Sequence, residues 1–204
     1  MRAVSTVRGR AVGLDRRDVD TDQIIPAAWL KRVERTGFGA GLFEAWRRDP
    51  AFVLNQPGAG DAKILVAGAN FGCGSSREHA VWALQDFGFE AVVAPSFADI
   101  FRGNSVGAGL VTAQADEQTV AALFAVLAAD PAATVVVDVA ERTVSVPSAG
   151  LSEPFSLPDY ARWRLLEGLD DIGVTLRHAD AIAVFETARP SWMPSAGPRA
   201  HAST

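Results

Sequence analysis

Ser75, Ser76 and Arg77 close the run Gly68-Ala69-Asn70-Phe71-Gly72-Cys73-Gly74-Ser75-Ser76-Arg77-Glu78-His79-Ala80. Two hydroxyls and a guanidinium beside Gly72 and Gly74 point to anion chemistry. Arginine presents a planar fork that meets a carboxylate through two parallel hydrogen bonds. Familiar phosphate loops do not fit. A P-loop needs Gly-Lys-Ser/Thr, and no lysine follows any of these glycines. A dinucleotide fingerprint needs a third glycine where Arg77 stands. The nucleophile elbow G-x-S-x-G fails at Gly74-Ser75-Ser76-Arg77. What remains is a cradle for a small anion with an arginine at its mouth.

The flanks say how this run is held. Lys63-Ile64-Leu65-Val66-Ala67 reads as a buried strand. Ala80, Val81, Ala83, Leu84 and Phe87 repeat at helical spacing up to Gly88. A strand-to-helix turn aims free N–H groups and the positive end of the helix dipole at whatever lies above it. A plainer reading of the same letters is a capping box, Ser75 as N-cap and Glu78 three residues on, with Arg77 a surface residue and His79 packed. Three glycines in seven residues weigh against pure structure, since each costs about 0.5–1 kcal/mol in chain entropy.

Alternating strand and helix patterns predict an α/β chain. Strands are expected at Val4–Val12, Ala91–Ala94 and Leu110–Ala113, and a hairpin at Thr134–Val139 and Thr143–Val146. Helices are expected at Phe97–Arg102, Glu117–Ala129 capped by Asp116, Pro158–Leu169 and His178–Ala188. Asp20-Thr21-Asp22 reads as a turn or loop-holding segment. Lys31, Arg32 and Arg35 form a cationic cluster, either a solvated face or a substrate contact. With 204 residues and a net charge of −5, the chain suits one domain over 1–194 with a disordered tail at 195–204. A nucleic-acid role is not expected. No apolar run nears the roughly 18 residues of a membrane span. No signal-peptide core is read at Met1-Arg2-Ala3-Val4, so the expected compartment is the cytoplasm. One cysteine, Cys73, allows no internal disulfide and no self-contained cysteine metal site.

The motifs taken together resemble the small subunits of the isopropylmalate dehydratases, in the aconitase superfamily. Asp18-Val19-Asp20-Thr21-Asp22-Gln23-Ile24-Ile25-Pro26 resembles the family's D-T-D-x-I-I-P segment. Leu30 to Gly39 resembles L-K-R-x-x-R-T-G-F-G, and Asn70 to Ala80 matches N-F-G-C-G-S-S-R-E-H-A. Ser96 to Phe101 matches S-F-A-D-I-F, and Phe185 to Pro194 resembles the closing F-E-x-x-R-P-x-W-x-P. Ser105-Val106-Gly107-Ala108-Gly109-Leu110 departs from it, where a lysine and an asparagine usually precede Gly-Leu. The resemblance implies a three-layer β/β/α swivelling domain. It implies interconversion of 2- and 3-isopropylmalate through isopropylmaleate, in leucine biosynthesis. Ser75 would be the base. Ser76 and Arg77 would hold a substrate carboxylate, with Arg32 and Lys31 near the substrate's side group. Asp20, Thr21, Asp22, Gly72 and Gly74 would support the loop. The superfamily's [4Fe–4S] cluster would sit on a large partner chain, since one cysteine cannot hold it. A small subunit of a related hydro-lyase, for homoaconitate or a methylated malate, and a non-catalytic anion-binding scaffold are the alternatives.

Overall fold

The computed structural model describes residues 1–31, 36–190 and 192–193. Four strands run parallel in the order β4 (Val111–Gln114), β3 (Ala91–Ala94), β2 (Ala62–Ala67) and β1 (Thr6–Leu14). Their sequences allow this arrangement because both faces of each central strand are apolar. In β2, Ile64 and Val66 enter one core while Leu65 and Ala67 enter the other; in β3, Val93 and Val92 divide the same way. The sheet continues antiparallel from β1 through β5 (Thr134–Asp138), β6 (Thr143–Val146) and β7 (Leu151–Pro154), with Val7 opposite Val137 and Val137 opposite Val144. Just beyond β7 the chain returns to the opposite edge of this seven-stranded sheet. The Ser156 N–H donates to the Gln114 carbonyl at 2.7 Å, and the Gln114 N–H donates to the Ser156 carbonyl at 3.3 Å. The sheet therefore curls until its far edge strand meets the segment leaving its near one.

Two apolar clusters follow. One joins Val7, Val93, Val135 and Val146 to Val120, Leu123 and Leu127 of α4 (Glu117–Ala129). The other sets Leu65 and Val92 against Phe38, Phe43 and Phe71, with Leu84 of α2 (Glu78–Phe87) and Phe101 of α3 (Asp99–Ala108). The short α1 (Thr21–Ile24) contributes Ile24 to this second cluster, and α5 (Asp159–Glu167) adds Leu165 to the first. The chain divides into two compact units, Met1–Asp170 and one beginning at Asp171. In the second unit, α6 (Asp171–Leu176) and α7 (Ala179–Thr187) are described.

Several boundaries differ from the sequence reading. The helix expected at Phe97–Arg102 runs from Asp99 to Ala108, so the divergent segment is helical from Ser105 to Ala108, and Ser105 is fully buried. Gly103 and Gly107 lie inside this helix, and each faces open space. The strand β7 and the helix α6 are additions to the elements that the sequence predicts. Ser152 and Glu153 are exposed and Pro154 ends the strand, a composition without alternation that belongs to a sheet edge. The tail 195–204 lies outside the described residues.

Candidate active site

Three loops, leaving the carboxyl ends of the adjacent parallel strands β1, β2 and β3, build the site. In open α/β sheets this end is where ligands bind. Backbone bonds zip the loops together. Asp18 N–H donates to the Ala69 carbonyl at 2.9 Å, Gly72 N–H to Val19 at 2.8 Å, and Thr21 N–H to Cys73 at 2.9 Å. On the other side, Phe71 N–H donates to Ser96 at 3.0 Å and Ala98 N–H to Phe71 at 3.0 Å. Asp18 and Asn70 both hold positive φ, 53° and 60°, and the Asn70 side-chain amide donates to the Asp18 carboxylate at 2.8 Å. Two non-glycine residues kept left-handed and joined to each other are local strain of the kind that concentrates at functional sites. The sequence reading missed this pair. Its one signal is that Asn and Asp are the types that most readily adopt that conformation.

Gly72 explains the first glycine. Its φ is 77°, and a Cβ there would lie 2.2 Å from the ring of Phe101, so no side chain fits between loop and helix. Gly74, at φ 89°, turns the chain toward Ser75. The hydroxyl of Thr21 donates to the Ser75 carbonyl at 2.9 Å. Thr21 is buried and Ser75 and Ser76 are exposed. Among the described residues the N–H groups of Gly74, Ser75 and Ser76 meet no acceptor, and neither serine hydroxyl has a partner. Donors and nucleophilic oxygens are thus left open together.

The capping box expected at Ser75 is not formed. The helix α2 begins at Glu78 with Arg77 as its N-cap and no side-chain cap, so Ser75 stands two residues too early to serve. A capping box does form one loop away. The Asp20 carboxylate accepts from the Gln23 N–H at 2.7 Å, and the Gln23 side chain accepts from the Asp20 N–H at 2.9 Å. This fixes Asp20 and places Asp22 in the first turn of α1. The Asp22 carboxylate meets the Arg77 guanidinium in a bidentate pair, Nη1 to Oδ1 and Nη2 to Oδ2, the latter at 2.8 Å. Arg77 is mostly buried and Asp22 mostly exposed.

An open cleft of about 370 Å³ beside this pair is lined by Leu30, Ser76, Arg77, Glu78, His79 and Asn104. His79 packs as the sequence suggested, its ring 5.2 Å from Phe38 and 4.7 Å from Trp82. Lys31 is exposed at the end of the 3-10 turn Ala27–Lys31. Arg32 lies outside the described residues. Cys73 is partly buried, and burial with the nearby Asp20 and Asp18 carboxylates pushes its thiol above the ordinary value of 9.0. That is the reverse of thiolate activation.

A family model described as the aconitase C-terminal domain matches residues 1–118. A second, the C-terminal domain of the 3-isopropylmalate dehydratase small subunit, matches residues 171–194. The 3-isopropylmalate dehydratase small subunit of Frankia alni is 59% identical over 196 residues, covering 96% of this chain and all of that protein. That of Acidothermus cellulolyticus is 58% identical over 195 residues, covering 96% and 98%. The chain belongs to the 3-isopropylmalate dehydratase small-subunit family. A crystal structure of 3-isopropylmalate dehydratase from Methanocaldococcus jannaschii superposes with a TM-score of 0.68 at 26% identity, over 88% of this chain and 99% of that one. The α/β swivelling-domain architecture expected from the motifs is therefore the fold of this family member. Its single cysteine cannot supply the several thiolates that an iron–sulfur cluster needs. Among the described residues, no three His, Cys, Asp or Glu side chains gather to hold a metal ion.

Proposed function

We propose that Ser75 is the proton-abstracting base of a two-chain hydro-lyase that interconverts 2-isopropylmalate and 3-isopropylmalate, with this chain as its small subunit. The observation that carries the proposal is the Ser75 loop. Its hydroxyl is unpartnered among the described residues, its carbonyl is pinned by Thr21, and the free N–H groups of Gly74 to Ser76 lie beside it. Moving a hydroxyl to the neighbouring carbon requires a proton to leave a carbon beside a carboxylate and a hydroxyl to leave the next carbon. A [4Fe–4S] cluster on the large subunit supplies the Lewis acid for the leaving hydroxyl. This chain's residues serve the other face of the substrate. Ser76 and Arg77 hold a substrate carboxylate. Lys31 and Arg32 are proposed to bear on which malate is accepted.

Serine is a poor base in water. It becomes a usable one where fixed donors stabilise its anion in a site shielded from solvent. Ser75 is exposed on this chain alone, so the shielding has to come from the large partner as it folds over the loop. That explains why the small subunit would be inert by itself.

The test is anaerobic. The purified chain is mixed with its cluster-bearing large subunit and 2-isopropylmalate, and the ultraviolet absorbance of the unsaturated intermediate is followed. Turnover only with both chains present is the expected result. Ser75→Ala is expected to lower kcat by about 10²–10⁴-fold, the range of general-base contributions, with its unfolding midpoint unchanged. Wild-type turnover by that variant would remove Ser75 from the role. An assembled complex with an intact cluster that ignores isopropylmalate would overturn the substrate assignment in favour of another malate or a non-catalytic scaffold.

A further inference from the structure

Arg77 has five N–H donors, and the fold engages them unevenly. The Asp22 carboxylate covers the end-on edge formed by Nη1 and Nη2. The Ile25 carbonyl lies 3.4 Å from Nη1. The side-on edge, Nε with the second hydrogen of Nη2, meets no acceptor among the described residues. The side chain is 14% exposed and lines the cleft with Leu30, Ser76 and His79. One edge of the fork is clamped by the protein, and the other is left for a ligand of carboxylate geometry.

We infer that Asp22 is a positioning residue for substrate: it clamps the end-on edge of Arg77 so that Nε and Nη2 meet a substrate carboxylate. The inference rests on the proposed function and adds the edge of Arg77 that is used and the residue that sets it. Two effects of Asp22 oppose each other. Its charge repels a second carboxylate, but that charge is already paired with the Arg77 guanidinium through two hydrogen bonds. Without Asp22 the arginine would have to give up its rotamer freedom on binding. The clamp is itself anchored, because α1 carries both Asp22 and the Thr21 hydroxyl that holds the Ser75 carbonyl. Asp22 thus fixes Arg77 in the same frame as the base, and the ordering effect prevails.

The experiment measures KM and kcat for 2-isopropylmalate in the assembled, cluster-loaded enzyme. Asp22→Asn is expected to raise KM about tenfold, equivalent to about 1.4 kcal/mol, while kcat falls less than about threefold. Asp22→Glu, which keeps the charge, is expected to recover most of the wild-type KM. A merely structural role would move the unfolding midpoint and both constants together. An unchanged KM in Asp22→Asn would overturn the inference. A lower KM would overturn it too, because Asp22 would then be competing for Arg77. If Asp22→Asn does not assemble, the Nε–H resonance of Arg77 in the full-length chain is followed during titration with malonate, where a shift supports the clamp and its absence at saturating malonate overturns it. Wild-type enzyme that does not turn over 2-isopropylmalate would fail the functional reading itself, a result separable from any behaviour of the variants.

Discussion

At the scale of single residues the loop separates two side chains that the sequence places almost side by side. Ser75 is exposed with an unpartnered hydroxyl, while Cys73 is half-buried with two carboxylates nearby. Desolvation is the larger cause of the raised Cys73 thiol, and Asp20 and Asp18 add to it. A raised thiol pKa means less thiolate at neutral pH. Alkylation of the native chain by iodoacetamide is therefore expected to be slow near pH 8 and to rise with a midpoint above 9.0, whereas the unfolded chain should react with an ordinary thiol profile. A native profile at or below the unfolded one would show that the loop activates the cysteine. The sequence pointed to the Ser75–Arg77 loop because rare letters sit together there. It did not reveal that Arg77 is already paired with Asp22, since 55 residues separate them and only the sheet brings α1 beside α2.

At the scale of elements, periodicity served well where one pattern held from cap to cap. The span of α4 was legible because Asp116 precedes four apolar positions on one face and Pro131 follows, and the Asp116 carboxylate does accept from the Thr119 N–H at 2.6 Å. The backbone and side-chain hydrogen bonds of Thr119 hold the Asp116 carboxyl below its ordinary value of 3.8. A lowered carboxyl stabilises the fold at pH above its unfolded value, and that stabilisation is lost as pH falls through the still lower folded value. Asp116→Ala is thus expected to unfold at a lower temperature than wild type at pH 7, the gap narrowing as pH drops below 3.8. Thermal scans at several pH values check this; a gap independent of pH would mean that the carboxylate charge plays no part. The extension of α3 past Arg102 was not legible, because its two glycines resemble stops until the space around them is known. The edge strand β7 has no apolar face to announce it.

At the scale of the whole molecule, the α/β character was legible from the strand and helix patterns, but the curl of the sheet was not. Curl depends on pairings such as Val7 with Val137 and Gln114 with Ser156, which no local pattern encodes. Among the described residues, both apolar clusters are assembled from residues of the first unit. A chain ending at Asp170 is accordingly expected to keep one cooperative thermal transition by circular dichroism. A broad, non-cooperative melt would show that residues after Asp170 are needed to complete the fold.

The return of Ser156 to β4 also sets a timetable for synthesis on the ribosome. The four parallel strands are all translated by Gln114, yet β1 then still lacks β5 as its antiparallel neighbour, and β4 lacks the Ser156 bridge at its rim. Through that interval the nascent chain carries two bare strand edges, surfaces that recruit other strands. The segment from Thr134 to Ser156 therefore has a second task besides filling the core: it ends the period in which this polypeptide is most open to pairing with a neighbour.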